Sequence, residues 1–163
     1  MSLTTDRLHE LLEYNQITGV FIWRTRRNVM AVAGEIAGYT SNGYVKIEID
    51  SYQYFAHRLA WLYIHGEFPS KQIDHIDGNR SNNRIVNLRL ASQSQNSANM
   101  RRHSRNTSGF KGVHWHKRKQ CWEARITVNS VQHHLGYFDE SMNAHAAYCH
   151  AAIKNFGEFA RAE

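Results

Sequence analysis

Hydrophobic positions in the first half of the chain recur with both helical and strand periods. Leu8 and Leu11 follow a possible threonine cap at helical spacing, which predicts a short opening helix. The run YVKIEI, residues 44–49, alternates apolar and polar side chains, as a half-buried strand does. A second apolar helix follows around Leu59 and should end near Gly66.

A more polar segment then predicts a strand, a loop, a second strand and a helix. Residues 73–76 form the first strand, and the Asp-Gly pair at 77–78 begins a polar loop. Residues 87–90 form the returning strand. Ser92 and Gln95 have the spacing of a capping box, so a helix should start there.

The second half of the chain predicts three short strands and one helix. Strand-like runs lie around residues 112–114, 122–128 and 133–136. Alanines then recur at three- and four-residue spacing after Ser141, which can cap the helix. Small residues on its inner face would let this helix lie close to the sheet.

Charge separates the two halves. Residues 1–96 hold ten Lys and Arg against nine Asp and Glu, whereas residues 97–163 hold ten against five and seven of the eleven histidines. A basic second half indicates a polyanionic partner, and nucleic acid is favoured over membrane because no basic amphipathic helix is visible.

A polar, Ser- and Asn-rich stretch marks the domain boundary. We predict a first domain over residues 1–99 with its core motif at 73–100, a basic linker over 100–108, and a second domain over 109–163. The expected class is α+β.

Composition also restricts the compartment. There is no apolar run of about 18 residues and no basic-then-apolar leader, so we expect a soluble cytoplasmic protein without a membrane partner. Cys121 and Cys149 form no CxxC pair, which is typical of a reducing compartment.

The stretch IDHIDGNRSNN, residues 73–83, carries the candidate chemistry. Asp74 and Asn96 could hold Mg²⁺ through oxygen atoms, and His75 could take a proton from a water that attacks phosphorus. The alternative is that Asp74 bonds loop amides and that His75 is a packed hairpin residue. Neighbours on a regular strand point to opposite faces, which opposes convergence of Asp74 and His75.

The sequence IDHIDGNRSNNRIVNLRLASQSQN resembles the HNH nuclease motif of the ββα-metal fold, in the form found in phage-encoded and homing-type endonucleases. The resemblance implies His75 as general base, Asp74 and Asn96 as ligands of Mg²⁺ or Mn²⁺, and Asn87 as a brace of the loop. The family often stabilises this hairpin with cysteine-ligated zinc. Residues 1–96 contain no cysteine, so we expect no structural zinc and assign that role to the preceding strands and helix.

Other residues near the motif are assigned more ordinary roles. Asp77, Gly78 and Asn79 are predicted to form the turn, and His57 is more typical of a helix-start or core histidine than of a site residue. Five arginines are predicted to contact DNA phosphates: Arg80, Arg84, Arg89, Arg101 and Arg102.

The basic half, from SGFKGVHWHKRK to AHAAYCHAAIKNFGE, resembles the plant ethylene-response-factor (AP-two) DNA-binding domain. The resemblance implies a three-stranded antiparallel sheet packed on one helix, with its outer face in the major groove. The positions that match DNA-facing places are Lys111, His114, His116, Arg125, Thr127, His134 and Tyr137. Several are arginine or tryptophan in the plant proteins, so their target sequence is not transferred. A histidine zinc site is a less favoured alternative.

Together these features predict a magnesium-dependent DNA endonuclease that prefers certain sites, nicks one strand per active site and acts on double-stranded DNA as a monomer or weak dimer. Its expected location is the cytoplasm of a bacterial or phage-infected cell. Two rivals stay open: a DNA-binding regulator with an idle HNH module, and an interaction protein that does not bind DNA.

Overall fold

The computed structural model describes residues 3–26 and 31–161, which form two compact units. The first unit runs to Leu90 and the second begins at Ala91. The division therefore lies ahead of the linker that the sequence suggested at 100–108.

The first unit contains two helices and most of the short strands. Its elements are α1 (Thr5–Leu11), β1 (Leu12–Asn15), β2 (Val20–Trp23), β3 (Tyr39–Ser41), β4 (Tyr44–Ile49), β5 (Tyr52–Phe55), α2 (Ala56–His65), β6 (Gln72–His75) and β7 (Leu88–Ala91), which ends one residue past the division. Strand β1 pairs with β2, β4 lies between β3 and β5, and β6 pairs with β7. A short 3-10 turn, Ile85–Asn87, leads into β7.

One hydrophobic core holds the first unit together. The largest side chains that are fully enclosed there are Leu8, Leu12, Phe21, Ile47, Ile49 and Leu59. The alternation predicted for β4 is confirmed, since Ile47 and Ile49 are buried while Glu48 between them is exposed. Helix α2 ends at Gly66, which adopts the left-handed conformation that favours glycine.

The second unit contains the three-stranded sheet. Its elements are α3 (Gln93–Asn99), β8 (Val113–His116), β9 (Cys121–Val128), β10 (Val131–Phe138) and α4 (Ser141–Phe156). The strands are antiparallel with β9 in the centre. Ser92 and Gln95 form the predicted capping box of α3. Ser141 is the first residue of α4 rather than its cap, because Glu140 takes the cap position.

Helix α3 packs on the core of the second unit, which explains why the division precedes it. Ala98 lies in one cluster with Tyr148, Phe156 and Phe159. Helix α4 approaches the strand β8 region so closely at Gly112 that any side chain there would overlap the Tyr148 ring.

The α+β class predicted from the sequence is confirmed by these helices and small antiparallel sheets. Across residues 3–26 and 31–161, no helix is both long enough and apolar enough to cross a lipid bilayer.

Candidate functional site

Strand β6 ends in the two residues that the sequence singled out. Asp74 and His75 are both buried, with 3% and 6% of their surface exposed. Asp74 faces β7, where its Oδ2 accepts a hydrogen bond of 2.9 Å from Nε of Arg89. His75 instead lies near Tyr44 and His57. In these contacts Asp74 meets a residue of β7, whereas His75 meets the rings of Tyr44 and His57, as expected for neighbours that point to opposite faces of a strand.

The His75 imidazole is held in its neutral form. Burial lowers its pKa, and the charge of Arg80 acts in the same direction. A hydrogen bond with Asn83 and the carboxylates of Asp77 and Asp74 oppose this effect, but the pKa stays below its ordinary value. Asp74 thus acts electrostatically on the imidazole, and a neutral imidazole is the form that can accept a proton.

A second histidine lies against the first. The rings of His57 and His75 meet edge to face, with their centroids 5.0 Å apart. Phe55 stacks on the His57 ring, with the two centroids 5.4 Å apart. His57 is buried at the start of α2, and its Nδ1 has no hydrogen-bond partner among residues 3–26 and 31–161. Burial lowers the pKa of His57 to about 3, with smaller contributions from the charges of His75 and Arg58.

His57 should make the fold sensitive to acid. Its pKa is about 3 in the folded protein, against an ordinary value of 6.5, so the unfolded chain binds more protons between these values. The contribution of the neutral ring to the free energy of unfolding should be fully present above about pH 6.5. It should be lost as the pH falls toward 3, by about 1.4 kcal/mol per pH unit.

Urea unfolding between about pH 7 and pH 4 tests this sensitivity. We expect His57→Phe to flatten the pH dependence, while the exposed His65→Phe at the end of α2 keeps the wild-type slope. Part of the slope should survive in His57→Phe, because burial also lowers the pKa of His75. Equal slopes for wild type and His57→Phe would show that His57 is not buried in its neutral form.

Asn87 holds the loop that joins β6 to β7. Its Oδ1 accepts from the backbone N–H of Asp77 at 3.0 Å, and its Nδ2 donates to Asp77 Oδ1 at 3.1 Å and to the carbonyl of Asn82 at 2.9 Å. Three hydrogen bonds from one buried amide fix the two ends of the loop against each other.

Asp77 serves this loop, as the sequence indicated. Its carboxylate accepts hydrogen bonds from the Asn82 side chain at 2.6 Å and from the Asn79 N–H at 2.7 Å. Burial on its own would raise the pKa of Asp77, but these two bonds and the one from Asn87 outweigh it and lower the pKa. The charged carboxylate is therefore a structural part of the turn.

The preceding strands brace the same loop. The buried hydroxyl of Tyr14 donates to the carbonyl of Asn83 at 2.6 Å, and Ser81 Oγ donates to the carbonyl of Gly43 at 2.9 Å. Gly19 has a positive φ and approaches so closely that a Cβ there would overlap the backbone of Asn83. These contacts stabilise the hairpin through the leader segments, the role that the sequence assigned to them.

The three arginines of the motif have different environments. Arg89 was predicted to contact DNA, but its side chain is only 13% exposed and pairs with Asp74 inside the unit. Arg80 is exposed and lies over the Tyr44 ring, with Cζ 4.9 Å from the centroid. Arg84 is also exposed. Arg80 and Arg84 thus stay available to phosphate, whereas Arg89 is committed to the carboxylate.

Asn96 is the fourth residue of α3 and belongs to the second unit. Its backbone N–H donates to the carbonyl of Ser92 in the first turn, at 2.9 Å. Within the described ranges, no group of three or more His, Cys, Asp or Glu side chains is placed to hold a metal ion.

Comparison with known proteins identifies this region. Residues 54–98 match the HNH endonuclease family. The HNH segment thus covers β5 to α3, including the Asp74–His75 pair and Asn87. The match shows that this segment is similar to HNH endonucleases.

Two viral proteins are similar to the chain. Protein 3.8 of Escherichia phage T7 is 42% identical over 80 residues, which are 48% of this chain and 66% of that protein. An uncharacterised HNH endonuclease of Acanthamoeba polyphaga mimivirus is 36% identical over 106 residues, 64% of this chain and 54% of that protein. The chain spans less than two thirds of the length of either relative. No solved structure matches it significantly.

Beyond the HNH segment, the sheet of the second unit has one face on α4 and one facing away. Ala124 and Ile126 of β9 pack in the cores beneath α4. A bulge between His134 and Gly136 shifts the register of β10. Six of the seven residues predicted to face DNA share the outer side: His114, His116, Arg125, Thr127, His134 and Tyr137.

Lys111 is the exception to this arrangement. Its ammonium group donates to the carbonyls of Ala98 and Met100 at the end of α3, the second at 2.7 Å. Burial, helped by the charge of Arg161, lowers the pKa of Lys111 to about 8. Lys111 therefore caps a helix end instead of lying on the outer face.

The histidines of the sheet do not gather around one point. His133 pairs with Ile126 and lines a groove of about 430 Å³ beside α4, together with His150, so it lies away from His134. His133 therefore does not join His114, His116 and His134 around one ion, which opposes the histidine zinc site that the sequence left as an alternative. In the polar segment before β8, Arg101 and Arg102 are exposed, as phosphate contacts would require.

Three contacts among the residues of the candidate site and of the sheet face were not predicted. The Asp74–Arg89 pair and the His57–His75 contact join residues 15 and 18 positions apart, and no local pattern signals them. Glu123 lies on the same face as Arg125, and strand alternation alone could have placed it there.

Proposed function

We propose that this protein is a metal-dependent DNA endonuclease of phage or homing type that hydrolyses one phosphodiester bond per active site. The observation that carries the proposal is the end of β6. There a buried, neutral His75 follows Asp74 at the end of the strand, next to a loop fixed by Asn87, within the segment that matches HNH endonucleases.

His75 would act as the general base. A neutral imidazole can take a proton from the attacking water, and its packing against His57 limits the orientations of the ring. Asn87 would not touch the substrate. Its three hydrogen bonds hold the loop that begins directly after His75 and contains Asp77, so its role is positioning.

Asp74 and Asn96 would hold Mg²⁺ or Mn²⁺. The donor set fits a hard cation bound loosely, since Mg²⁺ commonly takes one or two carboxylates and fills its shell with water and substrate phosphate. When bound, such a cation stabilises charge on the scissile phosphate and on the leaving oxygen. Arg89 beside Asp74 weakens the attraction for a cation, so binding should strengthen when DNA supplies a phosphate.

The second unit would bind duplex DNA through the outer face of its sheet. A ribbon of strands fits the major groove, and Arg125, His134 and Tyr137 share this face with the histidines of β8. Arg101 and Arg102, with Arg80 and Arg84 of the HNH segment, would add phosphate contacts, which predicts strong dependence of affinity on salt. We place this activity in a bacterial or phage-infected cytoplasm, with a monomer or weak dimer on DNA.

Duplex DNA labelled at one end of each strand in turn tests the reaction. With Mg²⁺ present, we expect cleavage of one strand at preferred positions, because one active site handles one strand. Cleavage of both strands in the same time would instead require two cooperating copies. Absence of any cleavage, with salt-sensitive binding intact, would overturn the nuclease proposal.

One observation favours a second candidate, a DNA-binding regulator with an idle HNH segment. The Asp74 carboxylate forms an ion pair with Arg89, and a buried ion pair of this kind can have a structural role alone. In that case the protein would shift duplex DNA in a gel, yet Mg²⁺ and Mn²⁺ would yield no products beyond those of His75→Ala.

A further inference from the structure

A buried carboxylate lies in the middle of the sheet face that we assign to DNA. Glu123 is in the central strand β9, paired across the sheet with His114 on β8 and Tyr137 on β10. Only 4% of its surface is exposed, although neighbouring side chains on this face reach solvent. A negative charge at this position opposes the approach of phosphates, so its presence calls for a physical reason.

The Glu123 carboxylate accepts hydrogen bonds from two side chains of the same sheet face. Its Oε2 accepts from Nη2 of Arg125 at 2.6 Å, and its Oε1 lies 2.8 Å from Nδ1 of His134. The side chains of Arg125 and His134 are 38% and 44% exposed, so both extend from the buried carboxylate toward solvent. Gln132 adds a further hydrogen bond to Arg125, because its Oε1 accepts from Nη1 of Arg125 at 3.3 Å.

These contacts fix the charge state of the group. The hydrogen bond from Arg125 holds the pKa of Glu123 below its usual range, against the opposing effect of burial and with help from His134. The carboxylate therefore stays charged at neutral pH. It offsets the charge of Arg125 and reduces the attraction of that side chain for phosphate.

A restrained arginine suits base recognition better than phosphate binding. Arginine carries five N–H donors in a planar fork, and the contacts to Glu123 and Gln132 fix the plane of this fork. In the major groove such a fork matches O6 and N7 of guanine. Contacts to phosphate, by contrast, carry no sequence information.

We propose that Glu123 is a specificity-determining positioning residue, which holds Arg125 as a rigid donor fork that recognises a guanine edge in the major groove, with His134 fixed beside it. This inference rests on the proposed binding of duplex DNA by the sheet face. Glu123 itself does not touch the DNA. It acts by fixing the direction of Arg125 and by lowering non-specific attraction to the backbone.

Selection from a pool of duplexes with a randomised central segment tests the proposal. The full-length chain is used with a chelator, so that no cleavage occurs, and wild type is compared with Glu123→Gln. Affinities are then measured for the selected duplex and a scrambled one over a range of salt. We expect wild type to select a guanine-containing site. In Glu123→Gln, preference for that site should fall about 10- to 100-fold.

Glu123→Gln should also bind scrambled DNA more tightly than wild type, because the charge of Arg125 is no longer offset. Its affinity should depend more steeply on salt concentration, by the amount that roughly one additional phosphate contact adds. A purely structural role for Glu123 would weaken both affinities together. Glu140→Gln, which removes one exposed acidic group at the start of α4, is the matched control and should leave the preference unchanged. Arg125→Lys, which keeps the charge without the fork, should lose the preference even if Glu123→Gln fails to fold.

The outcomes separate this inference from the proposed function. If wild type shows no salt-sensitive binding to any duplex, DNA binding by the second unit is wrong. If wild type binds with a preference that a folded Glu123→Gln variant retains, the role of Glu123 is wrong. If Arg125→Lys retains the preference as well, Arg125 does not recognise the site either. Binding by wild type without any preference would also overturn the inference.

Discussion

Replacing His75 with alanine should lower the rate constant of DNA cleavage by roughly 10²- to 10⁴-fold, the usual contribution of a general base. The loss follows from the removal of a buried, neutral imidazole from the end of β6. Affinity for duplex DNA should change little, because the residue is buried and the proposed binding face lies in the second unit. Single-turnover cleavage of an end-labelled duplex, with protein in excess, measures the chemical step directly.

His65→Ala is the matched control for this experiment. His65 is an exposed histidine of the same unit, at the end of α2, and its replacement should leave the cleavage rate within about twofold of wild type. Circular dichroism and unfolding midpoints must show that both variants are folded. A folded His75→Ala variant that cleaves at the wild-type rate would remove His75 from the mechanism.

Replacing Asp74 with alanine should cost both activity and stability. The carboxylate pairs with Arg89 in a place where both side chains are largely enclosed. Breaking a buried ion pair by removing one partner typically costs about 3–5 kcal/mol, since the other charge stays buried without compensation. Urea unfolding of Asp74→Ala should therefore show a free energy of unfolding lower by about that amount.

A double-mutant cycle separates the two losses. Asp74→Ala combined with Arg89→Met removes both charges, and it should recover much of the stability that either single change loses. Cleavage should stay lost in the double variant, because no carboxylate is left for the metal. Recovery of both cleavage and stability would mean that Asp74 is needed for the stability of the fold and not for catalysis. Additive destabilisation would mean that the two side chains do not form an energetic pair.

The periodic elements of the fold could be predicted from the sequence because their signals are local. The alternation in β4, the Ser92–Gln95 capping box and the end of α2 at Gly66 each depend on a few neighbouring residues, and all three are present. The turn role of Asp77 also followed from local chemistry, since a carboxylate there can accept from the amides that follow it.

Long-range packing explains what the sequence did not predict. The sequence assigned residues up to 99 to the first domain, but Ala98 packs against aromatic residues near the end of the chain and draws α3 into the second unit. Lys111 donates to carbonyls more than ten positions earlier. Partners of this kind depend on the path of the chain, which periodicity does not reveal.

The sequence predicted which residues belong to the candidate site more fully than it predicted how they contact one another. Asp74, His75 and Asn87 were named from the motif, and the structure adds that Asn87 bonds three groups of the loop. The pairing of Asp74 with Arg89 was not foreseen, since a cross-strand neighbour depends on the register of β6 and β7. Because of that register, Arg89, which was predicted to contact DNA, pairs with Asp74, the proposed metal ligand.

Conversion of supercoiled plasmid to its open circular form, with and without Mg²⁺, tests the central claim most directly. We predict that the full-length chain nicks the plasmid in Mg²⁺, so that open circles accumulate before linear DNA, and that a chelator or the His75→Ala change abolishes the reaction. The claim is contradicted if nicking is absent, or if the folded His75→Ala variant nicks as fast as wild type.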